Sequence, residues 1–284
     1  MTAHGRIIER FHLARRDPGL AVLEGFHALK HALRFGAEVL ELATADPGRV
    51  LALAWSLAPD VARTLASWFG EEGAGNGAGG GAQAGQPSSM GAAPAPGAPP
   101  AMTILPLEAF TRITREPPDS PVVSIARRPA VSVEGVLGDV APAPLVFLEN
   151  PSRLGNIGAA IRVAAAAEAA GVLTTGPHDP WHPTVIRGSA GLHFALPVAR
   201  VERLPASDRP LVAIDPGGEP LRPEAIPPRA ILAFGGERHG LSRELVAAAD
   251  RRIGIPMRPG VSSLNLATSV AAVLYVARCA DPGW

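Results

Sequence analysis

Three short apolar runs, at 145–148, 230–234 and 252–255, each break into a polar loop and then into a helical pattern. Runs of this kind, apolar without alternation, read as parallel strands buried on both faces. With further runs at 172–174 and 211–214 they alternate with helical stretches, the pattern of an α/β domain built on a mainly parallel sheet. Each polar loop then falls at the carboxyl edge of that sheet, where open α/β sheets take their ligands. The first runs Asn150-Pro151-Ser152-Arg153-Leu154-Gly155-Asn156-Ile157-Gly158 and on to Arg162. The second is Gly235-Gly236-Glu237-Arg238-His239-Gly240-Leu241, and the third is Ile255-Pro256-Met257 followed by Ser263-Leu264-Asn265. No G-x-G-x-x-G follows the first strand, which argues against a Rossmann dinucleotide site.

Over 284 residues with 47% apolar content, the chain has material for two cores. No apolar run approaches the length of a membrane span and none follows the basic start, so a soluble, unexported, cytoplasmic protein is expected. Cys279 is the only cysteine, which excludes an internal disulfide and a cysteine-based zinc cluster. His178, Trp181 and His182 gather in a Pro-rich loop without a fourth ligand, so no metal is expected and a loop or RNA contact is read there. The formal net charge of zero argues against a nucleic-acid partner taken as a whole. Its distribution argues the other way, because Arg6, Arg10, Arg15 and Arg16 crowd the amino end against Glu9 alone. Those four are the expected RNA-binding residues.

Before the parallel sheet, the pattern gives a strand at 20–23 with a helix after Glu24-Gly25, then a strand at 50–55 with a helix at 61–69. A strand at 103–105, a helix at 107–113 and a strand at 122–126 complete a small α/β domain. The tract 70–101 is almost entirely Gly, Ala, Pro, Ser and Gln and cannot bury enough surface to offset its chain entropy. It is read as a disordered insertion within that domain, since loop closure costs little more as loops lengthen. The expected organisation is a substrate-binding domain at 1–128, a linker rich in Pro, Val and Gly at 129–144, and a second domain at 145–284.

The three loops, in this order and spacing, resemble the motifs of the SpoU or TrmH-type branch of the SPOUT methyltransferases. That resemblance covers roughly 145–279, and Ser189-Ala190-Gly191-Leu192 is similar to the family's stretch between its first two motifs. Glu24-Gly25 and the helix after it resemble, less specifically, the family's substrate-binding domain. The resemblance implies an α/β fold with a C-terminal trefoil knot and a homodimer. It implies an RNA 2′-O-ribose methyltransferase that uses S-adenosyl-L-methionine, acting on ribosomal RNA more readily than on transfer RNA, with no metal and no membrane. Arg162, Asn156, Glu237 and Asn265 match its catalytic positions; Gly235, Gly236, Ile255, Met257, Ser263 and Leu264 match its cofactor loops. A non-catalytic RNA-binding or assembly factor that keeps the fold is the alternative.

The residues also have plainer roles open to them. Asn156 could cap the helix it opens, Ser262 or Ser263 could cap the last helix, and Glu237 could cap the helix at 242–249, orient Arg162 or accept hydrogen bonds from the nucleotide. A guanidinium is almost never neutral at pH 7 and so is a poor general base, and Arg162 is read as a fixed cation that makes a ribose hydroxyl more acidic.

Overall fold

Strands buried along nearly their whole length organise both halves of the molecule. The structure, a computed structural model, describes residues 3–70, 99–114 and 120–280; residues 71–98 of the expected insertion lie outside them. Contacts divide the chain into two units, Met1–Arg128 and Pro129–Trp284.

The first unit runs α1 (Ala3–Ala14), β1 (Leu20–Glu24), α2 (Phe26–Arg34), β2 (Val39–Thr44), α3 (Pro47–Leu57), α4 (Pro59–Trp68), β3 (Ala101–Ile104), α5 (Leu107–Thr111) and β4 (Val122–Arg127). Its sheet has the order β1-β4-β2-β3, with β4 antiparallel to β1 and β2, and β3 parallel to β2. Phe26, Leu29, Leu51 and Leu65 form one apolar cluster, and Phe11, Leu105, Phe110 and Ile113 another. Val122 and Val123 belong to different clusters, as alternation along a strand covered on both faces requires. The expected strand at 50–55 is instead inside α3. Asp46 accepts a hydrogen bond from Arg49 N at 2.9 Å and Pro47 takes the first helical position, and those two signals outweigh the apolar run.

The second unit runs α6 (Val133–Gly138), β5 (Leu145–Glu149), α7 (Leu154–Ala166), β6 (Gly171–Thr174), α8 (Pro183–Gly188), β7 (Val198–Arg200), β8 (Leu211–Pro220), β9 (Ile231–Gly235), α9 (Arg243–Ala248), β10 (Arg251–Gly254) and α10 (Leu266–Ala280). All six strands are parallel, in the order β10-β8-β9-β5-β6-β7. From β5 the chain moves one way to β6 and β7, then returns to build the other side. The strand order therefore reverses between β5 and β9, the place where a crevice opens at the carboxyl edge.

The stretch 129–144, expected as a linker, is built into this second unit. It carries α6, whose Val136 and Leu137 are buried with Leu145, Phe147 and Ile231. Arg209, only 3% exposed, fixes the segment by donating to the carbonyls of Val136, Leu137, Asp139, Ala143 and Arg229 at 3.0–3.2 Å.

Candidate active site

The reversal point brings together the loops after β5, β9 and β10. Asn150 turns the chain out of β5 with a φ of 49°, a conformation that asparagine tolerates better than most residues. Arg153 stands at the cap position of α7, so Asn156 is inside the first turn of the helix rather than its cap. From there Asn156 Nδ2 donates to Glu237 Oε1 at 2.6 Å, across from the β9 loop. Glu237 Oε2 accepts from Ser152 N at 2.8 Å and from Ser152 Oγ at 2.7 Å. Asn265 Nδ2 donates to Asn156 Oδ1 at 3.0 Å, which brings in the loop after β10. One chain of side-chain hydrogen bonds, Ser152–Glu237–Asn156–Asn265, thus joins all three loops.

The plainer roles fall to other residues. Asn265 Oδ1 accepts from Ala267 N at 2.9 Å and Thr268 N at 3.4 Å, so Asn265, not Ser262 or Ser263, closes the start of α10. Ser242 caps α9 by accepting from Leu245 N at 3.2 Å, which leaves Glu237 to the network. Partial burial pushes the Glu237 carboxyl up, but the hydrogen bonds from Ser152 and Asn156 outweigh it and hold the group at about 2. Glu237 is therefore a carboxylate throughout the physiological range.

Asn156, Glu237 and Asn265 line a cavity of about 510 Å³ with Gly235, Gly236, Ile255, Met257, Ser263 and Leu264. Phe234, Ile214 and Leu266 add apolar wall, and that size and mixture suit a small organic ligand. The two glycines answer first to the chain itself. A Cβ on Gly235 would come within 2.0 Å of Gly240 C, and one on Gly236 within 2.3 Å of Asn150 O.

Of the four expected catalytic residues, three meet at this cavity. Arg162 is exposed two turns into α7 and is not among the residues that line it. Sequence reasoning missed Ser152, which fixes Glu237, and Asp215, which lines the cavity from an irregular stretch of β8 and is held by Arg252 at 2.5 Å. Neither carries a local signal, because each acts on a residue far along the chain.

The expected RNA-binding arginines separate into two kinds. Arg15 Nη2 pairs with Glu24 Oε1 at 2.6 Å, with side chains 8% and 4% exposed, and donates also to Ile113 O. It is a core residue, which corrects its assignment to an RNA-binding surface. Arg10 is paired with Glu41 at 2.6 Å but keeps 41% of its side chain exposed, while Arg6 and Arg16 are exposed. Trp181 is also internal, with Nε1 donating to Val198 O at 3.1 Å, and His182 Nδ1 accepts from Thr184 N to cap α8. Burial gives Trp181 the loop role rather than an RNA contact, while His178 and His182 stay partly exposed. Among the described residues no His, Cys, Asp and Glu group could hold a metal ion, and no helix is long and apolar enough to cross a membrane.

Residues 143–275 match the SpoU rRNA Methylase family. The chain carries a SpoU methylase domain. It is 31% identical over 159 residues to the 23S rRNA (adenosine(1067)-2′-O)-methyltransferase of Streptomyces laurentii, covering 50% of this chain and 55% of that protein. The chain spans about half the length of the curated relatives it matches. A crystal structure of an RNA 2′-O ribose methyltransferase superposes with a TM-score of 0.66 at 26% identity, covering 99% of this chain and 97% of that one. The SpoU methyltransferase AviRb of Streptomyces viridochromogenes, crystallised with AdoMet, shares the fold with a TM-score of 0.69 at 20% identity, covering 95% of this chain and 96% of that one. The match places all three loops of the cavity inside the SpoU domain.

Proposed function

We propose that the chain transfers a methyl group from S-adenosyl-L-methionine to a ribose 2′-hydroxyl of RNA, with ribosomal RNA the substrate favoured by the Streptomyces laurentii relative. The observation that carries this reading is the hydrogen-bonded chain from Ser152 through Glu237 and Asn156 to Asn265 at the wall of a ligand-sized cavity. The cavity suits the cofactor: apolar side chains from Ile214, Phe234 and Leu266 offer a surface for a flat base, beside Gly235, Ile255 and Leu264 in the lining. When bound, the cofactor supplies a sulfonium methyl group suited to in-line transfer.

The chain's own residues position the acceptor. Glu237, ionised at neutral pH, fixes the orientation of the Asn156 amide, and Asn156 in turn fixes Asn265. The Arg162 guanidinium favours the hydroxyl's loss of its proton to solvent as the oxygen takes the methyl group. Because Arg162 does not line its own cavity, we place it at the cavity of a second protomer in a homodimer formed through α7 and α10. Within the chain the two helices pack on each other, with Arg278 donating to Ala167 O at 2.6 Å, and Tyr275 on α10, 45% exposed, is the observation that supports a face there. The same family reading extends to a trefoil knot in the SpoU domain, to RNA capture by the first unit, and to a cytoplasmic location alongside ribosomes.

Two measurements test this. Calorimetry should show S-adenosylmethionine binding that Leu264→Trp weakens at least tenfold, on the order of 1.4 kcal/mol, without lowering the unfolding temperature; undiminished binding would move the cofactor elsewhere. Mixing Arg162→Ala with Glu237→Gln protomers should restore methyl transfer, since a mixed dimer holds one complete site. No recovery on mixing would overturn the shared site.

A further inference from the structure

The three loops that wall the cavity carry one arginine each: Arg153 after β5, Arg238 after β9 and Arg258 after β10. All three are exposed, and among the described residues none of their guanidinium groups has a hydrogen-bond or ion-pair partner. Several other arginines of the second unit are committed, Arg229 to Asp208, Arg252 to Asp215, Arg278 to Glu168 and Arg209 to backbone carbonyls, whereas Arg162, Arg203, Arg222 and Arg243 are exposed as these three are; what sets Arg153, Arg238 and Arg258 apart is their place on the three loops. The one carboxylate on these loops, Glu237, is occupied by Ser152 and Asn156, so it does not bind the cations beside it.

Arg153 lines the large cavity, while Arg238 and His239 line a smaller one of about 180 Å³ on the far side of the Gly236–Gly240 turn. The two cavities share Gly236 and Gly240 as a common wall. Arg258 lies between Met257 and Ser262, both of which line the large cavity. Uncommitted, exposed guanidinium groups on every loop around one opening make a surface for a polyanion lying across it.

We propose that Arg153, Arg238 and Arg258 form a phosphate-binding ring by which the second unit itself grips the RNA backbone on either side of the target ribose. This rests on the RNA methyltransferase reading above and adds to it which groups hold the substrate. The ring positions the polymer and leaves the base unread, since phosphate contacts carry register rather than sequence. Glu237 keeps its carboxylate turned inward on hydrogen bonds, which prevents a collapsed arginine–glutamate pair from closing the ring in the absence of RNA.

The test uses the full chain, with deproteinised 23S ribosomal RNA as the binding probe and S-adenosylmethionine in a separate titration. Arg153→Gln, Arg238→Gln and Arg258→Gln should each weaken RNA binding about fivefold to tenfold at low salt and reduce the slope of log affinity against log salt by about 0.7–0.9. Cofactor affinity should stay within twofold, and Arg251→Gln, an exposed arginine at the amino end of β10, should change neither. Unchanged RNA affinity and salt slope in the three variants would overturn the ring. So would Arg153→Gln weakening the cofactor alone, which would make that residue a ligand for the cofactor's carboxylate. If the wild-type chain binds RNA yet transfers no methyl group to it, the enzymatic reading fails while the ring stands.

Discussion

The amino-terminal segment and the loops at the carboxyl edge of the parallel sheet are both rich in arginine, yet they use it differently. At the amino end Arg15, just past α1, is spent on Glu24 and Arg10 on Glu41, while Arg6 and Arg16 stay exposed. At the sheet edge the carboxylate is spent internally and the arginines are left over. A count of charges along the chain cannot tell these apart, because what matters for a phosphate partner is which cations lack an internal acceptor.

The sharpest way to break this comparison is to remove Glu237. Glu237→Gln should lower methyl transfer about a hundredfold, the scale of losing strong hydrogen bonds to a charged group in a site that needs them. Cofactor affinity should fall much less. Equal losses in both constants would mean that the network builds the cofactor pocket rather than orienting the acceptor.

Next in size, Arg15→Ala should destabilise the first unit by about 3–5 kcal/mol, because it leaves Glu24 buried without its partner. The denaturation midpoint reads this directly. Arg6→Ala and Arg16→Ala, at exposed positions, should shift stability by no more than about 0.5 kcal/mol. A stable Arg15→Ala protein with a weakened RNA salt dependence would return that residue to the binding surface.

The pH dependence gives a finer test. Since Glu237 is held at about 2, below the ordinary carboxylate range, its contribution to the three-loop network is complete above the ordinary glutamate pKa and is lost only as pH falls towards 2. Carbon-detected NMR of the Glu237 carboxyl should show no titration through pH 4. A midpoint near the ordinary glutamate value would show that Ser152 and Asn156 do not hold it.

Much of the fold was legible because both faces of its strands are covered: runs at 145–148, 172–174 and 230–234 lie in β5, β6 and β9 or within one residue of them. Where two local signals competed, the apolar run misled. At 50–55 the Asp46–Pro47 helix start decides, and α6 within 129–144 is too short to show a period. Asn156, Glu237 and Asn265 were picked out through the resemblance of their loops to the SpoU motifs. Their mutual hydrogen bonds were not, since Glu237 meets Asn156 and Ser152 only after the sheet has set β9 beside β5. The inward fate of Arg15 and Trp181 was equally hidden, for the partners Glu24, Ile113 and Val198 are supplied by folding.

Methyl transfer to a ribose oxygen can be measured directly. The full chain is incubated with methyl-labelled S-adenosylmethionine and unmodified 23S ribosomal RNA, and the RNA is digested to nucleosides. Label is expected in a 2′-O-methylated nucleoside, abolished when the modified position is made 2′-deoxy, where no acceptor oxygen remains. Label in a base, or label that persists on the 2′-deoxy substrate, would contradict it.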